Sequence, residues 1–137
     1  MLGEDEFGEM LNKHLNLHHV RANIKRMPEQ PTGVCLVLAG TDDRSFITHY
    51  GAARKFSVDD LDLEQLYTMQ HVHFAGYYSC QGLAKDLRRL MEALQRRGIT
   101  ISMDTNYDGT GKWNGVEELL PLVEVFLGMP ARAARPV

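Results

Sequence analysis

Little in this sequence is extreme, and each shortage removes a class of protein. Only two cysteines, Cys35 and Cys80, occur in 137 residues, and they show no Cys-x-x-Cys spacing. A disulfide framework needs more. Both lie in apolar sequence surroundings, so buried, reduced thiols in a cytosolic protein are expected. No apolar run approaches the ~18 residues of a membrane-spanning helix. Positive charge is not in excess either. The net charge is -3, which gives no reason to expect nucleic acid or an anionic membrane as partner. Glu4, Asp5 and Glu6 make the first residues acidic, where a signal or transit peptide would be basic.

What is present is an ordinary soluble composition, 44% hydrophobic and 24% charged, enough for one domain with a core. Phe7, Met10, Leu11 and Leu15 recur at helical spacing, predicting an amphipathic helix from about Asp5 to Leu17. "TGVCLVLA", the turn "TDDR" and "SFITHYG" read as a β-hairpin over about 32–50. Ser57 and Asp60 resemble a capping box, so a helix is expected through "SVDDLDLEQLYTM". "HVHFAGYY" reads as a strand. "GLAKDLRRLMEALQRRG" reads as a helix with Leu83, Leu87, Leu90, Met91 and Leu94 on one face and Gly98 just past its end. "ITISMD" is a strand, "GVEELLPLV" a short helix and "EVFLG" a strand. Lys85, Arg88, Arg89, Arg96 and Arg97 read as a solvated helix face. From residue 57 onward, helix and strand alternate, the signature of right-handed crossovers on a parallel sheet. Ligands bind such sheets beyond the carboxyl ends of the strands, here Ala75 to Tyr78, Asp104 to Asp108, and Gly128.

Asp104, Asn106, Asp108 and Gly109 stand at the first, third, fifth and sixth places of a calcium-loop pattern. An EF-hand loop needs a preceding helix and a bidentate Glu at the twelfth place. Here a strand precedes it and the twelfth place is Gly115, so a polar loop at a strand end is the better reading. His71 and His73 share a strand face, but no carboxylate or thiol neighbours them in sequence to complete a metal site.

Several segments taken in order resemble the PfkB (ribokinase-like) carbohydrate kinases. "MLGEDEFGEML" is similar to that family's G-x-D-x-x-G segment, with Gly3, Asp5 and Gly8 in place. "QPTGVCLVLAGTDDRSFITHYGAA" resembles its Pro-Thr-Gly strand, Asp-Arg turn and Gly-Ala-Asn segment. "VHFAGY" resembles its substrate-side strand, and "ISMDTNY" with a following Trp its Asp-Pro-Asn strand end. The resemblance runs from Leu2 to about Leu127.

The resemblance implies an α/β ribokinase-like fold, with a three-layer arrangement around a parallel βαβ sheet and a protruding β-hairpin lid. It implies a partial kinase domain over 1–128, truncated at both ends, and a divergent tail over 129–137. The activity implied is transfer of the ATP γ-phosphoryl group to a sugar hydroxyl with Mg2+ and ATP. The family's Gly-x-Gly-Asp base is absent from the sequence, and its Asn-x-x-Glu positions fall on Met129 and Arg132, neither of which suits magnesium. The chain alone is therefore expected to be inactive and not to hold the cofactors. Asp104 matches an Asp that holds magnesium through water. Tyr77 and the lid residue His49 match substrate-side positions. Asn106 is expected to shape a turn and Trp113 to anchor packing. His49 and Asp108 replace arginines of relatives that bind sugar acids, so a small neutral sugar is expected as partner, with a nucleoside left open. A homodimer through the lid hairpin is a further expectation. The alternative reading is a non-catalytic interaction module that pairs with a full-length relative through the lid.

Overall fold

The computed structural model describes residues 1–41 and 44–128. Asp42 and Asp43 of the expected turn, and Met129, Arg132 and the rest of 129–137, lie outside the described residues. The chain divides into two compact units, Met1–Phe56 and the part from Ser57 onward.

In the first unit, β1 (Leu2–Gly3) pairs in parallel with β2 (Arg26–Met27), and α1 (Glu6–Leu17) lies between them in sequence. Asp5 caps α1 by accepting from the Gly8 N–H at 2.8 Å, and its second oxygen accepts from the Thr32 N–H at 2.6 Å. The Thr32 hydroxyl in turn accepts from the Gly3 N–H at 2.9 Å. Gly3, Asp5 and Gly8 thus join the chain start to residue 32. The Thr32 N–H, first among these donors, holds the Asp5 carboxyl below the ordinary range. Helix α1 forms where its pattern predicts, but of its residues only Gly8 is buried, and Phe7 and Met10 are exposed.

β3 (Val34–Ala39) and β4 (Arg44–His49) form the expected antiparallel hairpin. It pairs with no other described strand, and all twelve residues are exposed. Cross-strand partners share a face. Val34, Leu36, Leu38 and Ile47 therefore lie on one side, and Val37 and Phe46 on the other. Cys35 is exposed here, with its Sγ accepting from the Thr48 hydroxyl. The buried thiol expected from its apolar neighbours is not what forms, because a two-stranded sheet has no inside.

The second unit carries the parallel sheet, in the order β5 (His71–Ala75), β6 (Thr100–Asp104), β7 (Val125–Phe126). Val72 and Phe74 alternate inward on β5, beside Ile101 and Met103 of β6. Against β6 packs α4 (Leu87–Gln95), which buries Leu87, Leu90, Met91 and Leu94. Val72, Phe74, Ile99 and Ile101 are buried, while Val125 and Phe126 are exposed. Arg88 pairs with Glu92 and Glu118 on the solvated side of α4, as the basic pattern predicts.

Three expected helices are shorter than their patterns. The capping box exists, with Asp60 accepting from both the N–H and the hydroxyl of Ser57. It opens only a 3₁₀ turn, Val58–Asp60, before Asp62 caps α2 (Leu63–Leu66). The 82–98 helix is split into α3 (Gln81–Ala84) and α4. Residues 115–123 hold only a 3₁₀ turn, Leu120–Leu122, in which Pro121 lacks the N–H that an α-helix would use.

Candidate functional site

The site lies at the carboxyl ends of β5 and β6. β5 ends in a tight turn in which Gly76 donates to the Asp104 carbonyl at 2.9 Å and Ser79 donates back to Gly76 at 2.9 Å. The turn carries Tyr77 and Tyr78, whose rings meet edge to face with centroids 5.0 Å apart. Gly115, at φ +86°, faces Tyr77. A Cβ there would stand 2.5 Å from the Tyr77 hydroxyl oxygen, so only glycine leaves that hydroxyl its place. Burial, then the nearby Glu118, pushes the Tyr77 phenol up. Burial also raises Tyr78, with Asp108 adding to it.

β6 ends at Asp104, whose Oδ1 accepts from the Asn106 N–H at 2.8 Å. This local Asx turn lets Asn106 adopt φ +55°, the turn-shaping role expected of it. The loop beyond folds around Asp108. The residue is 5% exposed, and its carboxylate accepts from the N–H groups of Thr110 (2.9 Å), Lys112 (3.1 Å) and Trp113 (2.7 Å), and from the Thr110 hydroxyl. Trp113 sits at φ +54° and packs edge to face between Tyr78 and Tyr107.

Both Asp108 oxygens serve backbone donors, and the described residues hold no cluster of three metal-ligating side chains. His71 and His73 are likewise engaged in the sheet. Both ring systems reach the Ser102 hydroxyl at 2.8 Å, and His71 also meets Thr100 at 2.7 Å.

The structure brings Tyr77 and Asp104 to the same end of one sheet. His49 is exposed on β4 in the other unit, opposite Val34. The sequence places Asp108 in a calcium-loop pattern and at a position where relatives carry an arginine, and neither comparison points to its anchoring role. The signal was present in "DGT", since Asp followed two residues later by Thr makes a turn closed by side-chain acceptance.

The Thr110 N–H, then the Trp113 N–H and the Thr110 hydroxyl, hold the Asp108 carboxyl below the ordinary range, more than offsetting its desolvation. A depressed carboxylate adds stability above its unfolded value, near about 4, and loses it as pH falls through the lower folded value. Melting midpoints should therefore decline as pH falls below about 4, and Asp108→Asn should remove part of that decline. Equal slopes for both proteins across that range would show that Asp108 takes no part in the acid transition.

A family model described as "pfkB family carbohydrate kinase" matches residues 1–128. The chain belongs to the PfkB carbohydrate kinase family. Solved structures share the fold. An adenosine kinase from Anopheles gambiae, in complex with a di(adenosine) tetraphosphate, superposes with a TM-score of 0.79 at 22% identity, covering 93% of this chain and 39% of that one. A fructokinase from Xylella fastidiosa gives 0.75 at 23%, covering 92% and 42%. An E. coli protein named as a ribokinase II, in complex with ATP and Mg2+, gives 0.77 at 23%, covering 93% and 44%. The chain thus spans less than half the length of these PfkB-fold chains.

Asp104 is the described residue to which the resemblance gives a water-mediated contact to magnesium. Its Oδ1 is spent on Asn106, which leaves Oδ2, and no described carboxylate cluster completes a cation site. The sequence contains no Gly-x-Gly-Asp run to supply a base at a helix N-terminus. These residues do not make a complete site for Mg2+ and ATP.

Proposed function

We propose that this chain is a central, acceptor-side portion of an ATP-dependent kinase that phosphorylates a hydroxyl of a sugar or nucleoside, and that by itself it transfers no phosphoryl group. The observation carrying this reading is the family match over 1–128 in a sequence that has no Gly-x-Gly-Asp motif. Phosphoryl transfer needs a positioned base, donors around the phosphates and magnesium. In this reading Tyr77 and His49 keep the substrate-side roles that the resemblance implies, while Asp104 orders water around the metal. Each role needs partner groups that these residues do not supply. The hairpin, apolar on both faces, is suited to pair with a second copy.

The purified chain given ATP, Mg2+ and ribose, fructose or adenosine should form no phosphorylated product. Loss of the positioned base alone removes about 10²–10⁴-fold in rate. Turnover at an ordinary kinase rate of about 1–100 s⁻¹ would overturn the proposal. Sedimentation of the same preparation tests the pairing, and a monomer at high concentration would remove it.

A further inference from the structure

Trp113 and Tyr107 meet at nearly a right angle, with ring centroids 5.6 Å apart and planes at 86°. They remain 43% and 63% exposed. Trp113 also meets Tyr78, its ring centroid 5.7 Å away and its plane at 83°. The loop that presents these rings holds two non-glycine residues in left-handed backbone, Asn106 and Trp113. Asp104 holds Asn106 by accepting from its N–H, and the buried Asp108 holds Trp113 in the same way. Left-handed backbone at such residues costs energy and persists where the surroundings over-determine it, often beside a ligand. The rings it displays stand at the carboxyl end of a parallel strand, where open α/β sheets receive ligands.

We infer that this right-angled aromatic corner is a stacking platform for the planar base of a nucleoside. The acceptor taken at this end of the sheet is then a nucleoside rather than a free sugar. The inference rests on the kinase reading above and narrows its acceptor. An aromatic face is electron-rich and its edge electron-poor. A planar base can therefore lie flat on one ring while its edge meets the face of the other. Stacking of this kind changes affinity by about five- to 150-fold per base when the aromatic is cut to alanine. A furanose or pyranose ring offers no planar π face to such a corner. The rings tolerate any base, so the platform selects the class of acceptor and not one member of it.

Trp113 is the only tryptophan of the chain, which makes its emission a direct reporter. The full chain, excited at the red edge of the indole band, is titrated with adenosine, inosine and uridine, and in parallel with ribose and fructose. Saturable quenching by the nucleosides, with a Kd of about 1 mM or tighter, and none by the sugars, is expected. Tyr107→Ala, at an exposed position, should keep the circular dichroism of the parent and weaken nucleoside binding at least about fivefold. Purely linear quenching, or nucleoside binding unchanged in Tyr107→Ala, would overturn the inference. Saturation by ribose or fructose alone would also overturn it while leaving the kinase reading intact.

Discussion

Alanine in place of Gly51 is expected to cost the Met1–Phe56 unit roughly 2–5 kcal/mol, enough to unfold it under ordinary conditions. Gly51 sits at φ +51°, where an L-residue with a Cβ is disfavoured by about 1–2 kcal/mol. That Cβ would also point into the Pro31 carbonyl oxygen, the acceptor of the Ala52 N–H at 2.8 Å. Relieving the clash moves Pro31 and breaks that hydrogen bond, at a further ~1–3 kcal/mol. Amide protection in unit one should collapse in Gly51→Ala. Native-like exchange at Leu2 and Thr32 in this variant would show that the Pro31 carbonyl can step aside at no cost.

The second large effect belongs to the sheet. Leu94 is fully buried on α4, the helix that packs against β6, and its truncation to alanine is expected to leave a cavity. Such deletions cost about 2–5 kcal/mol. The urea midpoint of unfolding should fall by about 1 M or more. Arg89, 88% exposed on the same helix, is the control, and its replacement by alanine should stay within about 0.5 kcal/mol. A Leu94→Ala midpoint no lower than that of Arg89→Ala would mean that α4 does not close this core.

The elements that could be read in advance were those whose periodicity and partners are local. Helix α1 announces itself through Phe7, Met10, Leu11 and Leu15. The β3–β4 hairpin shows as two β-rich runs around a short polar turn. β5 and β6 show as apolar runs on either side of a helical pattern. The two-residue strands β1 and β2 carry no periodicity, and they meet through bonds no local pattern announces, Leu2 N–H to the Lys25 carbonyl and Arg26 to the Gly3 carbonyl. Helix lengths were overread wherever a breaker competed with a pattern, at Pro121 above all. The site was legible as a place, through the rule about carboxyl ends, better than as chemistry. Asp104 and Asp108 look alike in sequence, yet one caps a two-residue turn at an open strand end and the other disappears beneath a loop. Burial separated them, and burial depends on where Trp113 and Thr110 return.

The two sheets also differ in when they can form. The inner rung of the hairpin, Ala39 with Arg44, joins residues only five positions apart (44 − 39), whereas each rung between β5 and β6 joins residues 29 apart, as in His71 with Thr100 (100 − 71). A hairpin zips in roughly 1–10 μs, but parallel pairing waits until the long crossover has been closed. During synthesis the hairpin also leaves the ribosome first. The nascent chain thus shows Leu36, Ile47 and Phe46, which stay exposed in the folded structure, before the core of the parallel sheet exists. The encounter most apt to misdirect folding therefore comes early, between hairpins of neighbouring chains.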